Sequence, residues 1–195
     1  MKWLKLPCLA LLAVLASFDA TAGTADLPAN KQTTAGLYLQ AAEVKDFLAS
    51  HKALFVDVRT RAEVTFLGLP TDVDVNIPYM ELTDLARFDP KKGTYKLETN
   101  PDFPVVFEKE LQKRGLGKDT AILLMCRSGT RSSKAANLLT SMGYTKVYSV
   151  VDGFEGDTAK AGPTKGQRTV NGWKNAGLPW SYKVAPGQVY PPDRK

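Results

Sequence analysis

One short segment of the sequence combines a nucleophile, two cations and a glycine. Cys126 follows the apolar run 120–125, and the residues Arg-Ser-Gly-Thr-Arg then lead through Arg131 into a helical pattern. The main-chain N–H groups of a short loop before a helix, together with the positive end of the helix dipole, favour an anion at the centre of that loop. Because the thiolate is the nucleophilic form of cysteine, this cysteine loop (residues 126–131) predicts an ionised, reactive Cys126.

The composition of the cysteine loop suits a sulfur anion. Gly129 permits the main-chain conformations that a tight ring of N–H groups requires. Arg127 and Arg131 add positive charge, and the same ring can hold a persulfide anion after Cys126 has taken up a sulfur atom. A buried, inert cysteine is the alternative, although a core position does not need two arginines and a glycine beside it.

Other kinds of cysteine chemistry need additional residues that this sequence does not supply. His51 is the only histidine, and it precedes the first predicted strand, at the opposite edge of the sheet from Cys126. A Cys–His dyad is therefore not expected, and one cysteine with one histidine cannot supply a zinc site. We predict no metal and no cofactor. The formal net charge is +6, but there is no dense basic run interleaved with aromatic residues, so nucleic-acid binding is not indicated.

The first 22 residues have the layout of a secretory signal peptide. Lys2 and Lys5 precede the almost wholly apolar stretch 7–18, and Ala20-Thr21-Ala22 supplies the small residues that signal peptidase requires. The apolar stretch is shorter than the ~20 residues that a transmembrane helix needs, although an uncleaved anchor stays an alternative. We therefore predict cleavage after Ala22 and a periplasmic or secreted protein with no stable membrane anchor after cleavage.

Cleavage of a signal peptide would change the cysteine chemistry of the chain. The sequence contains 2 cysteines, Cys8 and Cys126, and the first of them lies inside residues 1–22. The mature chain would then hold a single cysteine, which cannot form an internal disulfide. In an oxidising compartment, such a cysteine is either buried and inert or reactive.

The pattern of strands and helices places Cys126 at the carboxyl edge of a parallel sheet. Short β-branched or alternating runs predict strands at 54–58, 73–77, 120–125 and 146–151. Apolar residues at helical spacing predict helices at 39–50, 60–66, 79–88, from about 100–104 to 115, and from 132 to 143. Alternation of the two types implies right-handed crossovers in a mainly parallel sheet, where ligands bind at the carboxyl ends of strands.

The remaining segments define the domain organisation. Residues 23–36 are rich in Thr, Ala, Asn and Gly and predict a flexible leader. Residues 79–100 contain a long insertion, and residues 156–172 hold four glycines and a proline and predict a loop. The last segment, 185–195, carries three prolines and predicts an extended tail. A single domain over residues 37–184 accounts for the rest.

Several motifs, taken together and in this order, resemble the rhodanese family. They are Asp-Val-Arg at 57–59, Asn-Ile-Pro at 76–78, Cys-Arg-Ser-Gly-Thr-Arg-Ser at 126–132, Asp-Gly-Phe at 152–154 and Gly-Trp-Lys-Asn-Ala-Gly-Leu-Pro at 172–179. The resemblance covers roughly residues 37–184. It implies an α/β fold with a five-stranded parallel sheet that is flanked by helices on both faces, with Cys126 as the catalytic residue. It also implies that the substrate or persulfide is bound by Arg127, Ser128, Gly129, Thr130, Arg131 and Ser132.

The reaction that the resemblance implies is sulfur transfer in two steps. The thiolate of Cys126 takes the outer sulfur of a small anionic donor such as thiosulfate and releases sulfite. The persulfide then passes that sulfur to cyanide in the assay or to a thiol, which can belong to a protein. The stretch 68–78 lacks the histidine-containing segment that many members carry after Asp-Val-Arg, and the 79–100 insertion is long. The resemblance therefore leaves the donor open.

Two other functions and two residue roles stay open. A catalytically weak module could carry sulfur or relay a disulfide without turning over small donors. A cysteine-dependent phosphatase is less favoured, because four residues separate Cys126 from Arg131, whereas phosphatases of this fold need five. Arg131 contacts either the substrate or a carboxylate. Asp57 and Arg59 are expected to form a structural ion pair rather than to contact substrate.

Overall fold

The computed structural model describes residues 27–83, 85 and 87–194. The predicted signal peptide and its cleavage site lie outside the described residues. The strands, in chain order, are β1 (Tyr38–Leu39), β2 (Ala53–Asp57), β3 (Leu69–Pro70), β4 (Val75–Asn76), β5 (Met80–Glu81), β6 (Phe88–Asp89), β7 (Thr94–Tyr95), β8 (Glu98–Thr99), β9 (Ala121–Met125), β10 (Val147–Val150) and β11 (Trp180–Ser181). The helices are α1 (Val44–Ser50), α2 (Arg61–Leu67), α3 (Phe103–Lys113) and α4 (Thr130–Ser141).

Five strands form the central parallel sheet in the order β1-β10-β9-β2-β4. All five residues of β9 are buried, which explains why this strand is the most hydrophobic run of the domain. The predicted five-stranded parallel α/β sheet is confirmed. The edge strand β1 has only two residues, and it occupies the start of the segment 39–50 that helical spacing marks as a helix. That helix begins later, at Val44, after a 3₁₀ turn over Ala41–Glu43.

Side chains that alternate along β9 divide the core into two layers. Ile122 and Leu124 pack on one face of the sheet, together with residues of α3 and α4. Leu123 and Met125 pack on the other face, together with residues of α1 and α2. Helices on both faces are therefore confirmed. The two layers hold the carboxyl end of β9, and with it Cys126, in a fixed position between them.

The 79–100 insertion differs from its prediction. A helix over residues 79–88 is wrong, because the described residues form two short antiparallel pairs, β5 with β8 and β6 with β7. Leu82 is 48% exposed and Leu85 is 82% exposed. These apolar side chains find no core to pack against, and a short helix without a buried face is not stable in water.

Both ends of the described chain pack on the domain. In the segment 27–36, where the sequence predicts a flexible leader, a 3₁₀ turn spans Ala29–Lys31, and Lys31 is buried against Asp157 with an Nζ–Oδ1 distance of 2.7 Å. In the tail, 3₁₀ turns at Pro186–Gln188 and Pro191–Asp193 interrupt the predicted extended chain. Gln188 donates a hydrogen bond to the Val73 carbonyl at 2.9 Å. Across residues 27–194, with 84 and 86 set aside, no helix is long and apolar enough to cross a bilayer.

Candidate active site

Cys126 lies directly after β9, where the chain turns into α4. The side chain is buried, and the Gly129 N–H donates a hydrogen bond to its sulfur atom at 3.2 Å. Gly129, rather than Ser132 or Ser133, is the residue that precedes the first turn of α4, and its φ of 95° lies in the left-handed region. The cysteine loop therefore ends at the positive end of a 12-residue helix, with its sulfur against a main-chain donor.

A buried chain of hydroxyl groups contacts the sulfur from the other side. Ser132 Oγ lies 3.6 Å from Cys126 Sγ and donates to the Gly129 carbonyl at 2.9 Å, while Ser149 Oγ lies 2.9 Å from Ser132 Oγ. Ser132 and Ser149 are both fully buried. A hydroxyl has one proton and can turn, so Ser132 can accept from a thiol or donate to a thiolate. The sequence pattern missed Ser149, although a lone serine in the apolar strand β10 was a usable signal.

Arg131 is held by a carboxylate, which answers one open question. Its two terminal nitrogens contact Glu63 at 2.6 and 2.5 Å, and both side chains are largely buried. Glu63 lies in the first turn of α2 and forms a capping box with Thr60, in which its main-chain N–H donates to Thr60 Oγ1 at 3.0 Å. Burial alone would raise the pKa of Glu63, but the hydrogen bonds and charge of Arg131 outweigh that effect and lower the pKa below its usual value.

This ion pair carries a testable pH dependence. Because the pKa of Glu63 is lowered by folding, its stabilising contribution is present at neutral pH and is lost as the pH falls below about 4.5. We expect Glu63→Gln to lower the free energy of unfolding by about 2 kcal/mol at pH 7, because Arg131 stays largely buried without its counter-charge. Urea unfolding at pH 7 and at the lowest pH where both proteins fold measures the difference.

The difference between wild type and Glu63→Gln should shrink as the pH falls through that range. The exposed Asp72 provides a matched control, since Asp72→Asn should change the free energy of unfolding little at either pH. A difference between wild type and Glu63→Gln that stays constant with pH would contradict the assignment of the ion pair.

Arg127 forms its ion pair with a different carboxylate, Glu155, and is 45% exposed. Its main-chain carbonyl accepts hydrogen bonds from the N–H groups of Glu155 at 3.0 Å and Gly156 at 3.2 Å. The 156–172 loop is thus attached directly to the residue that follows Cys126.

The Asp-Val-Arg motif forms the ion pair that the sequence predicts between Asp57 and Arg59. Asp57 and Arg59 are fully buried and share three side-chain hydrogen bonds of 2.5 to 3.0 Å. The Arg59 guanidinium also lies 4.0 Å from the centre of the Phe154 ring. Asn76, at the end of β4, donates to the carbonyls of Asp57 and Arg59 at 2.9 Å. These contacts brace the carboxyl edge of the sheet beside the cysteine loop.

The Asp-Gly-Phe motif holds the backbone of the cysteine loop. The Phe154 N–H donates to the Cys126 carbonyl at 2.8 Å, and a Cβ on Gly153 would come within 2.5 Å of that carbonyl oxygen. The Asp152 carboxylate accepts from the N–H groups of Ala41 at 2.8 Å and Gly172 at 2.9 Å. Burial raises the pKa of Asp152 despite these donors. The Asp-Gly-Phe motif thereby connects the cysteine loop with the segments around Ala41 and Gly172.

Two pockets flank the cysteine loop. The first, of about 850 Å³, lies between the segment 27–31 and the 156–172 loop and includes Ser128 and Thr130 in its wall. The second, of about 660 Å³, lies between the 79–100 insertion and the loop residues Arg127, Thr130 and Arg131. The sequence left the roles of the insertion and of the 156–172 loop open, and the structure places both beside the cysteine loop.

A buried cysteine between the central strand of a parallel sheet and a helix N-terminus defines a class of α/β proteins with a cysteine loop at the carboxyl edge of the sheet. A sequence model described as the rhodanese-like domain matches residues 40–160 of this chain. The protein belongs to the rhodanese-like family, and the resemblance seen in its motifs is confirmed.

Relatives and solved structures agree with this assignment. The uncharacterized protein RP600 of Rickettsia prowazekii is 31% identical over 135 residues, which are 69% of this chain and 88% of that protein. Thiosulfate sulfurtransferase 16 of Arabidopsis thaliana chloroplasts is 31% identical over 118 residues, 60% of this chain and 82% of that protein. The crystal structure of Rv0390 from M. tuberculosis is 30% identical, covers 74% of this chain and 96% of its own, and has a TM-score of 0.54.

Proposed function

We propose that this protein is a sulfurtransferase that moves a sulfane sulfur from a small anionic donor, such as thiosulfate, to a thiol or cyanide through a persulfide on Cys126. The observation that carries the proposal is the position of Cys126 Sγ, 3.2 Å from the Gly129 N–H at the N-terminus of α4. The name of the Arabidopsis relative, thiosulfate sulfurtransferase, supports the same reaction class.

The first turn of α4 can hold a second sulfur atom. Helix N-termini leave their first N–H groups without intrahelical acceptors. The N–H groups of Thr130, Arg131 and Ser132 donate no hydrogen bond to any residue in the described part of the chain. These donors at the N-terminus of α4 support the proposal that the turn stabilises a persulfide anion on Cys126.

The reaction needs no redox partner. In the first step the Cys126 thiolate attacks the outer sulfur of thiosulfate, so that an S–S bond forms and the S–SO₃ bond breaks. The electron pair of the broken bond leaves with sulfite, and the outer sulfur of the new persulfide carries the negative charge. In the second step cyanide or a thiolate attacks the outer sulfur, which releases thiocyanate or a new persulfide and restores the Cys126 thiolate.

The geometry disfavours phosphatase chemistry. Arg131, the residue that would have to grip a phosphoryl group, is held by Glu63 at 2.5 and 2.6 Å. The short spacing of four residues from Cys126 to Arg131 makes a ring that suits one sulfur atom better than a tetrahedral phosphate. Turnover of an aryl phosphate that is lost in Cys126→Ser would reverse this preference.

We also propose that the protein works in the periplasm or outside the cell. The layout of residues 1–22 supports this location. Once the signal peptide is removed, Cys126 has no second cysteine in its own chain. The persulfide must then pass its sulfur to another molecule, either a small thiol, cyanide or a thiol protein.

Intact-mass spectrometry tests the proposed function. We expect thiosulfate to add one sulfur atom, about 32 Da, to the purified protein, and cyanide to remove it, because the intermediate is covalent. Cys126→Ser should gain no mass under the same conditions. The absence of an adduct with thiosulfate and with other sulfane-sulfur donors would overturn the proposal. Capture of a partner protein through Cys126, without turnover of small donors, would instead establish a sulfur-carrier or redox module.

A further inference from the structure

The cations that the sequence assigned to substrate binding already have partners. Arg127 pairs with Glu155, and Arg131 pairs with Glu63. An anionic donor that approaches Cys126 would meet two guanidinium groups whose charge is largely compensated. Beyond the main-chain donors at the N-terminus of α4, positive charge that attracts the donor would then come from another side chain.

Arg168, in the 156–172 loop, meets this requirement. Within residues 27–83 and 87–194, it forms no ion pair with a carboxylate; its guanidinium donates to the Gly156 carbonyl at 2.6 Å. Gly156 in turn donates through its N–H to the Arg127 carbonyl at 3.2 Å. Two hydrogen bonds thus connect the Arg168 guanidinium to the residue next to Cys126.

The same residue lines the 850 Å³ pocket with the cysteine loop. Ser128, Thr130 and Arg168 all contribute to its wall. The carboxylates of this pocket are occupied, because Asp157 binds Lys31 at 2.7 Å and Asp152 accepts two main-chain N–H groups. Arg168 and Lys160 are therefore the cations in this pocket wall that have no carboxylate partner within the described residues, and Arg168 is the one joined to Arg127 through Gly156.

The 156–172 loop is built to hold Arg168 in place. The backbone pairs Thr158 with Arg168 in an antiparallel bridge, and Ala159 and Gln167 share a hydrogen bond of 2.8 Å. The Asn175 side chain donates to the Arg168 carbonyl at 3.1 Å. Burial and the charge of Arg127 lower the pKa of Arg168, whereas the charges of Glu155, Asp157 and Cys126 act in the opposite direction, so Arg168 lies within electrostatic range of Cys126.

We propose that Arg168 forms the anion subsite of the donor, where its guanidinium binds the sulfonate oxygens of thiosulfate while the outer sulfur faces Cys126. This inference rests on the proposed function for the identity of the anion. A guanidinium presents parallel N–H donors that match two oxygens of a sulfonate. On release of sulfite the same contact holds the leaving group, so Arg168 acts on the first half-reaction and not on the second.

The test compares Arg168→Gln and Arg168→Lys with Lys165→Gln, which removes an exposed charge from the same loop. Two quantities are measured in the full chain. One is the KM for thiosulfate in persulfide formation. The other is the concentration of inorganic sulfate that protects Cys126 from a neutral alkylating reagent, at constant ionic strength. We expect Arg168→Gln to raise both by about tenfold, as for loss of a charge-assisted hydrogen bond.

Arg168→Lys should keep part of the affinity, Lys165→Gln should match wild type, and transfer from the preformed persulfide to cyanide should be unchanged in every variant. Equal KM and sulfate values in wild type and Arg168→Gln would overturn the inference while the proposed function stands. Equal impairment in the lysine and glutamine variants, or a lower thermal midpoint that accounts for the loss, would assign Arg168 a structural role instead. If wild type forms no persulfide but its sulfate protection still depends on Arg168, the anion subsite stands and the proposed function fails.

Discussion

Replacing Gly129 with alanine is expected to lower the free energy of unfolding by about 3 kcal/mol and to slow persulfide formation by about a hundredfold or more. Gly129 has a φ of 95°, which side-chain-bearing residues rarely adopt, and a Cβ there would lie 2.1 Å from the Val151 carbonyl oxygen. Relief of that clash must move the loop, and with it the N–H that contacts Cys126 Sγ at 3.2 Å. Urea unfolding and the single-turnover rate of mass gain with thiosulfate measure the two effects.

Gly115→Ala is the matched control for this prediction. Gly115 also has a positive φ, of 64°, but nothing lies within 4 Å of a Cβ at that position. Its replacement should cost about 1 kcal/mol, the strain of the backbone conformation alone, and leave the rate unchanged. Should Gly129→Ala behave like Gly115→Ala in both assays, the close packing of the cysteine loop against Val151 would be disproved.

The second large effect is expected at the buried Asp57–Arg59 pair. Asp57→Ala should lower the free energy of unfolding by about 3–5 kcal/mol, because it leaves the Arg59 guanidinium charged and buried without its carboxylate. Both side chains are fully buried in the wild type. Chemical unfolding at pH 7 measures the change, and the structural role predicts that activity falls only as far as the folded fraction falls.

An exposed ion pair provides the comparison for Asp57→Ala. Asp193 pairs with Arg61 at 3.1 Å, and their side chains are 41% and 53% exposed. Asp193→Ala should therefore change the free energy of unfolding by at most about 1 kcal/mol. If Asp57→Ala lowers the free energy of unfolding as little as Asp193→Ala does, the buried pair does not stabilise the edge of the sheet. If a folded Asp57→Ala protein instead loses thiosulfate turnover, the residue acts in the chemistry.

The strands and helices of the central layers could be predicted from the sequence because each has its own pattern of apolar residues. The run Ala121–Met125 is apolar throughout, and the strand it predicts is buried on both faces. The helix after the cysteine loop follows from the spacing of Ala135, Leu138, Leu139 and Met142, which pack in one layer of the core. Burial of a strand or helix face depends mainly on the residues of that element, so periodicity reveals it.

Elements without a strong periodic pattern were not predictable in the same way. The edge strand β1 has two residues and is defined by its pairing with β10. In the 79–100 insertion, β5 is likewise defined by its pairing with β8, and the two-residue strands β6 and β7 pair with each other in a hairpin. Such short strands are stabilised by hydrogen bonds to other segments, which leave little trace in their own sequence.

The cysteine loop illustrates the same division within the site. The nucleophile and the glycine in the left-handed conformation can be predicted from Cys126-Arg-Ser-Gly and the helix that follows. The carboxylate partners of the two arginines could not be predicted. No sequence spacing relates Glu155 to Arg127 or Glu63 to Arg131. The sequence interpretation placed a cap at Ser132 or Ser133, whereas Ser132 instead lies against the sulfur in a chain of hydroxyls.

The sequence by itself determined the class of the fold and the place of Cys126 on a short loop between a strand and a helix, since these follow from contiguous residues whose backbone and side chains act on one another directly. Only the tertiary structure decided which cations keep their charge available. Arg127 and Arg131 follow Cys126 closely in the chain but pair with carboxylates from other elements. Arg168, more than forty residues away, lines the 850 Å³ pocket beside the cysteine loop and forms no ion pair within the described residues. Electrostatic compensation depends on distance in space, and a linear pattern does not contain that distance.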